Sequence, residues 1–481
     1  AETRARVVGA APSRSAAMMF ATFGCIGNIL FTATMAASKA KILLLPNTGF
    51  LSETTRMLAI ANALHQVGAT VTIAALDGPY AHLLRGGPVP FRPLALPPQA
   101  GESAVFHRRF LAALLSVGGE DLPFYEDTVL AALIRQEIEL FQELVPDVVV
   151  SGFQLSAAIS TQICRIPLAT SHGGSFVPPV LAAGLCPAPV NPIVKEMHRL
   201  PHRVQRALAN RATRWMRAPV ACLNRAAAAF GVAGVPSFAA LLCGDLTLVT
   251  DVPEVLGITK EKVESWRPWL WGLRPGASFR MTGPLYARLD LPLPPRVERF
   301  LADRSSPVVY VALTSSDERL VRQVVAGVRE AGARVLVAQT IHDVADLEAD
   351  DVLAEPILAS EKVFKRVAAA VLMGGQGSVQ TAIAAGIPFV GFPLHGEQEL
   401  NVAVAERLGM ALRLAPASAS TAALPYAVRR LCVDPTFRNA AKRASAYYEG
   451  VDGAANAAEA ILNYSRGRRR SNQPGSPGLR A

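Results

Sequence analysis

Short, wholly apolar runs separated by amphipathic stretches recur along most of this chain. Residues 41–46 read KILLLP, the pattern of a strand buried on both faces. The spacing over 55–67 predicts a helix closed by Gly68, and 71–75 a second strand. Helices are expected at 106–115 and 128–144, with a strand at 148–150 and a further helix opening near Gly152, Phe153 and Gln154. Leu168 leads a strand into His172 and two glycines, and another strand is expected at 246–249. Proline-rich 88–98 reads as a connector, and LPLPP at 291–295 as an inter-domain linker.

Beyond that linker come a strand at 307–313, a helix at 318–330 and a strand at 335–338. The most regular stretch follows: strand 367–373, a glycine turn, helix 379–385, strand 387–393 and helix 399–408. Helices at 420–432, 437–448 and 454–464 are expected to close the chain. This alternation predicts an α/β protein with two Rossmann-like domains facing across a cleft. The expected limits are a leader or anchor at 1–40, a first domain at 41–290, a linker at 291–306, a second domain at 307–464 and a disordered basic tail at 465–481.

Candidate chemistry sits at strand C-termini, where open α/β sheets bind ligands. Met373, Gly374, Gly375, Gln376, Gly377 and Ser378 join strand to helix, so backbone N–H groups there can approach an anion. A tight turn for helix–sheet packing is the other reading of that glycine run. His395-Gly-Glu397-Gln398 with Asn401 follows the next strand, where an acid–amide pair can reach ligand hydroxyls. A phosphate cradle beside hydroxyl readers suits a nucleotide sugar.

Taken together, Gly374, Gly375, Gly377, Ser378, Gly386, Pro388, Glu397, Gln398 and Asn401 resemble the donor-binding signature of nucleotide-sugar glycosyltransferases with the GT-B fold. The macrolide and UDP-glycosyltransferase-like branch is most similar. The resemblance implies an inverting, metal-independent hexosyltransferase. The second domain would hold a nucleotide diphosphate sugar as co-substrate, with no other cofactor, and the first a small lipophilic or natural-product acceptor. It implies donor contacts from Ser315, Met373 to Ser378, Glu397 and Gln398. Glu53 falls on the family's catalytic His in GFLSETTR and becomes the expected base; a helix-start carboxylate is its other reading. His172, at a strand end, is the second candidate base or an acceptor contact. Met373 and Thr314 depart from the family's His and Gly, and no Trp stands at 356–361 to stack a base. These departures keep a catalytically silent, ligand- or partner-binding homologue open. A nucleotide-sugar epimerase or hydrolase would need further acids in the cleft.

Composition narrows the rest. Six scattered cysteines among 481 residues, with no C-x-x-C pair, fit a reducing, cytoplasmic compartment and argue against zinc. The net charge of +10 lies partly in the termini, and no stretch interleaves aromatics with bases, which argues against nucleic acid. Uncharged 15–38, after three arginines, has the outline of a signal or anchor, or is a dispensable extension. Residues 195–217, expected to be helical apart from Pro201, carry arginines at three-to-four spacing. That is either a solvated face or a peripheral contact with anionic lipid.

Overall fold

A computed structural model describes residues 39–95, 123–192, 194–267, 271–286, 291–314, 316–339 and 342–471. The expected leader (apart from Lys39 and Ala40), the 106–115 helix, Ser315 and residues 472–481 lie outside the described residues.

The apolar runs form two parallel sheets. The first contains β1 (Lys41–Leu45), β2 (Thr70–Leu76), β3 (Phe91–Leu94), β4 (Val148–Ser151), β5 (Leu168–His172), β6 (Leu246–Val249) and β7 (Ser278–Met281), in the order β3-β2-β1-β4-β5-β6-β7. The second contains β8 (Val308–Ala312), β9 (Arg334–Ala338), β10 (Val352–Glu355), β11 (Ala369–Leu372), β12 (Phe389–Gly391) and β13 (Ala411–Arg413), in the order β10-β9-β8-β11-β12-β13. Strand order reverses between β1 and β4 and again between β8 and β11, so each sheet has a crevice at its C-terminal edge. This is the expected pair of Rossmann-like domains.

The principal helices, in chain order, are α1 (Leu51–Gln66), α2 (Asp127–Leu144), α3 (His202–Ala209), α4 (Ala212–Trp215), α5 (Glu318–Glu330), α6 (Gln376–Ala385), α7 (Gly396–Arg407) and α8 (Gly453–Ser471). Their apolar faces cover the sheets: Val321, Val324 and Val328 of α5 pack on Val309, Val311 and Val335. Each such fully buried side chain contributes about 1.5–3 kcal/mol. One cluster joins the two sheets, with Val180, Val255 and Phe279 of the first half packed together with Leu400, Val404 and Ala405 of α7.

Several expectations are corrected. The 88–98 connector contains a strand, β3, paired in parallel with β2. The 195–217 segment is not continuous helix even beyond the expected break at Pro201: a 3-10 turn precedes Pro201, and α3 and α4 are separated at Asn210 and Arg211. The 291–306 linker holds a helix, Pro295–Ala302. The expected disordered tail begins as ordered helix, since α8 runs to Ser471 with Ser465 buried and Arg469 Nε donating to Asp147 Oδ1 at 2.9 Å. α8 also leaves the second domain: Ala457, Ala458 and Ile461 pack with Ile42, Leu44, Met57 and Ile60 of the first.

Candidate active site

At the end of β11 the chain turns sharply. Met373 points into the core beside Val311 and Phe392. Gly374 adopts φ +95, and a Cβ there would lie 2.5 Å from Val402 Cγ2. Gly375 then caps α6 with ordinary angles. The carboxylate of Glu397, on the first turn of α7, reaches back to this cap. Its Oε1 accepts the Gln376 N–H at 3.0 Å and Asn401 Nδ2 at 2.6 Å, while Asn401 also donates to the Gly374 carbonyl at 2.9 Å. Burial pushes the Glu397 carboxyl up to about 7, against the opposing pull of those donors and of Arg56. His395 is buried beside it, Nδ1 3.9 Å from Glu397 Oε2 and without a hydrogen-bond partner. Burial pulls that imidazole down to about 4, so it is neutral at physiological pH. Gln398 accepts the Leu394 N–H at 2.8 Å, and Ser378 Oγ donates to the Gly375 carbonyl at 2.9 Å.

The first domain meets this turn at its own crevice. Glu53, in the first turn of α1, is fully buried, pairs with Arg56 and accepts the Phe153 N–H at 3.1 Å. The loop carrying Phe153 is fixed in turn, because Gln154 Nε2 (3.0 Å), Ser156 Oγ (2.5 Å) and Ser160 Oγ (2.6 Å) all donate to Glu137 of α2. Arg56 Nη1 donates across the cleft to Gln376 Oε1 at 3.2 Å, and Gln376 Nε2 donates to Thr250 Oγ1 at 2.6 Å. Gly173 makes room, since a Cβ there would sit 2.5 Å from Gln376 Cδ. Asp251 accepts from the Gly174 N–H at 2.7 Å and Gln380 Nε2 at 3.0 Å, and burial raises its carboxyl to about 6. His172 is fully buried between Phe153 and Phe176, at 5.1 and 5.9 Å between ring centres. Neither of its ring nitrogens has a hydrogen-bond partner. Burial first, and the Arg56 charge second, lower its pKa to about 3; the nearby Leu242 backbone offsets this only weakly.

Two cavities flank the junction. One of about 420 Å³ is apolar, walled by Phe176, Leu181, Met197, Leu208, Trp215 and Phe238 of the first domain and closed by His395, Gly396, Glu397 and Glu399 of the second. Its rim is clamped across the domains: Glu399 Oε1 accepts the Val190 N–H at 2.7 Å, and Arg413 bonds both Glu399 Oε2 (2.7 Å) and the Ala188 carbonyl (3.1 Å). The other, about 850 Å³, is bordered by Leu51, Thr55 and Tyr80 on one side and Tyr286, Ile357 and Tyr448 on the other. Among the described residues no group of three or more His, Cys, Asp or Glu converges as a metal site would. No described helix is long and apolar enough to cross a membrane.

Thus residues 374–378, Glu397 and Gln398 come together. Glu53 and His172 lie close behind them but border neither of these two cavities. Sequence reasoning missed Arg56, Thr250, Asp251 and Glu399 as parts of the junction. The only signal for Asp251 was its place just after a strand, and for Arg56 its place at the end of GFLSETTR, with nothing to point to a partner 320 residues away.

Comparison with known proteins bears on this geometry. The family described as "UDP-glucoronosyl and UDP-glucosyl transferase" matches residues 291–450. A "PGL/p-HBAD biosynthesis glycosyltransferase" of Mycobacterium tuberculosis is 26% identical over 423 residues, covering 85% of this chain and 88% of that one. A "PGL/p-HBAD biosynthesis rhamnosyltransferase" of Mycobacterium bovis is 26% identical over 426 residues, covering 85% and 84%. Among solved structures, the spinosyn forosaminyltransferase SpnP superposes with a TM-score of 0.60 at 14% identity, over 89% of this chain and all of that one.

Proposed function

Because the chain belongs to the UDP-glycosyltransferase-like glycosyltransferases of the GT-B fold, we propose that it moves a hexose, with inversion, from a nucleotide diphosphate sugar to the hydroxyl of a lipophilic acceptor. The observation that carries this reading is the apolar chamber that ends on His395, Gly396 and Glu397. A lipophilic alcohol in that chamber has its hydroxyl directed at the groups that border the donor turn.

The donor lies along the C-terminal edge of the second sheet. From β10 to β12 is four strand spacings, on the order of 19 Å, room for an extended nucleotide diphosphate sugar. Its base faces the larger cavity beside Ile357, its diphosphate the turn at Gly375–Ser378, and its sugar Glu397 and Gln398. The N–H groups at the start of α6 and the helix dipole stabilise the leaving diphosphate. The acceptor oxygen attacks the anomeric carbon from the face opposite the diphosphate. The bond between the anomeric carbon and the diphosphate oxygen breaks, and the nucleoside diphosphate departs with the bonding pair.

The acceptor proton goes to His395 Nδ1. His395 borders the chamber, its Nδ1 is neutral, buried and unpartnered, and Glu397 Oε2 at 3.9 Å steadies the imidazolium that forms. Glu53 is then a positioning residue, holding Arg56 against Gln376. Its oxygens are taken by Arg56 and Phe153, and the chamber does not reach it. Nucleotide sugars assayed with a lipophilic alcohol test the function, and the anomeric configuration of the product tests inversion. His395→Ala is expected to lower kcat by a factor of about 10² to 10⁴ with nucleotide affinity unchanged. Glu53→Gln is expected mainly to lower the melting temperature. If the stable His395→Ala enzyme turns over like the parent while Glu53→Gln is dead but folded, the base is Glu53.

A further inference from the structure

The wall of the acceptor chamber has a second face. Leu208, Ala209, Ala212 and Trp215 of α3 and α4 border the chamber. Arg203, Arg206 and Arg214 of the same two helices, with Arg211 between them, border a separate cavity of about 550 Å³, completed by Arg267, Trp266 and Trp271. Residues 195–217 hold Lys195 and Arg199, Arg203, Arg206, Arg211, Arg214 and Arg217 against one acid, Glu196, in a chain whose whole net charge is +10. Elsewhere arginines commonly meet carboxylates, as Arg296, Arg322 and Arg413 do. Among the described residues no carboxylate pairs with any of these six arginines. Leu200 (37%), Val204 (41%) and Trp215 (53%) stand exposed among them.

Guanidinium groups without a carboxylate partner, Arg206 and Arg211 donating only to the Gly184 and Ala207 carbonyls, repel each other in one cavity and gain from an anionic surface. Exposed Leu, Val and Trp beside them gain from leaving water. An anionic bilayer supplies both, with lipid phosphates for the arginines and the headgroup boundary for the apolar side chains. A soluble anion would leave the second group unexplained.

The geometry points to α3 and α4 as a docking surface for anionic membrane, set so that the acceptor chamber fills from the lipid phase. The docking rests on the arginine–apolar surface alone; that the acceptor enters from lipid rests also on the chamber's being the acceptor site. Sedimentation with phosphatidylcholine vesicles, with and without phosphatidylglycerol, tests it on the full chain. Binding is expected only with phosphatidylglycerol and is expected to weaken as salt rises. Arg203→Ala/Arg211→Ala should weaken it about fivefold per arginine. Leu200→Ser/Val204→Ser should weaken it as well, with melting temperature unchanged in both variants. None of these four residues borders the chamber, so turnover of a water-soluble acceptor should be unaffected. Equal binding to neutral vesicles, no binding at all, or indifference to both variants overturns the proposal. So does tight binding of inorganic pyrophosphate without vesicle binding, which makes the arginine cavity a site for soluble polyanions. If no lipophilic alcohol is ever glycosylated but the vesicle results hold, the acceptor reading falls and the docking surface stands.

Discussion

Adjacent glycines on the donor turn answer to different constraints. Gly374 needs its φ of +95 and has Val402 2.5 Å from the place of a Cβ, so Gly374→Ala should cost stability, about 1–3 kcal/mol for the backbone strain alone. Gly375 has ordinary angles and nothing nearer than Ser378 Oγ at 3.9 Å. Gly375→Ala should therefore leave the melting temperature alone while placing a methyl group where the proposed diphosphate would come. Loss of one charge-assisted hydrogen bond corresponds to about 10- to 100-fold weaker binding of UDP or dTDP by calorimetry. Parent-like affinity in that variant would move the phosphate site elsewhere. Much of this turn was legible in sequence, because glycine spacing after an apolar run is a local signal. The surroundings of Glu53 were not. Its position followed from GFLSETTR, but the Gln376 that its partner Arg56 meets comes from the other domain.

Among the elements, the long periodic ones were readable and the short edge strands were not. The 318–330 helix has the limits its pattern implies, with Asp317 capping it by accepting the Leu320 N–H at 2.8 Å. β3 was hidden by Pro93, which is tolerated because β3 lies at the sheet edge. β13, three residues long, is too short for a periodicity to show. α8 was expected to end at 464 because GRRRS has no apolar stripe; what orders it is Asp147, which meets Arg469. The helix makes a distinctive prediction. Ile461→Ala, far along the second half of the chain, should destabilise the first domain by about 2–5 kcal/mol, read as protection of β1 and β2 amides in hydrogen exchange. Equal protection in parent and variant would mean that the first domain holds together without it.

For the whole molecule, buried ionisable groups at the junction make stability depend on pH in a particular direction. Glu397, raised to about 7, and Asp251, raised to about 6, favour the folded state below the ordinary carboxylate range and lose that contribution as pH rises through 6 to 7. His172 and His395, lowered to about 3 and 4, stabilise above the usual histidine pKa and lose that as pH falls below about 6.5. The two effects oppose each other from about pH 4 to 8, because an unfolded histidine is still half protonated at about pH 6.5. In the parent they nearly cancel between about pH 6.5 and 8, so the melting temperature should stay close to level there, whereas Glu397→Gln removes the largest carboxyl contribution and should make stability rise over that interval by about 0.5 kcal/mol. A rise of the same size in the parent would mean that Glu397 is ionised in the folded state without penalty.

The return of α8 to the first sheet also sets an order of events during synthesis. β1 and α1 leave the ribosome early, yet Ala457, Ala458 and Ile461 emerge only after the entire second sheet has been made. The first domain therefore waits, with part of its apolar surface uncovered, until α8 has been made. A chain cut short at a premature stop between 453 and 457 would carry both sheets and still expose that surface to chaperones and proteases.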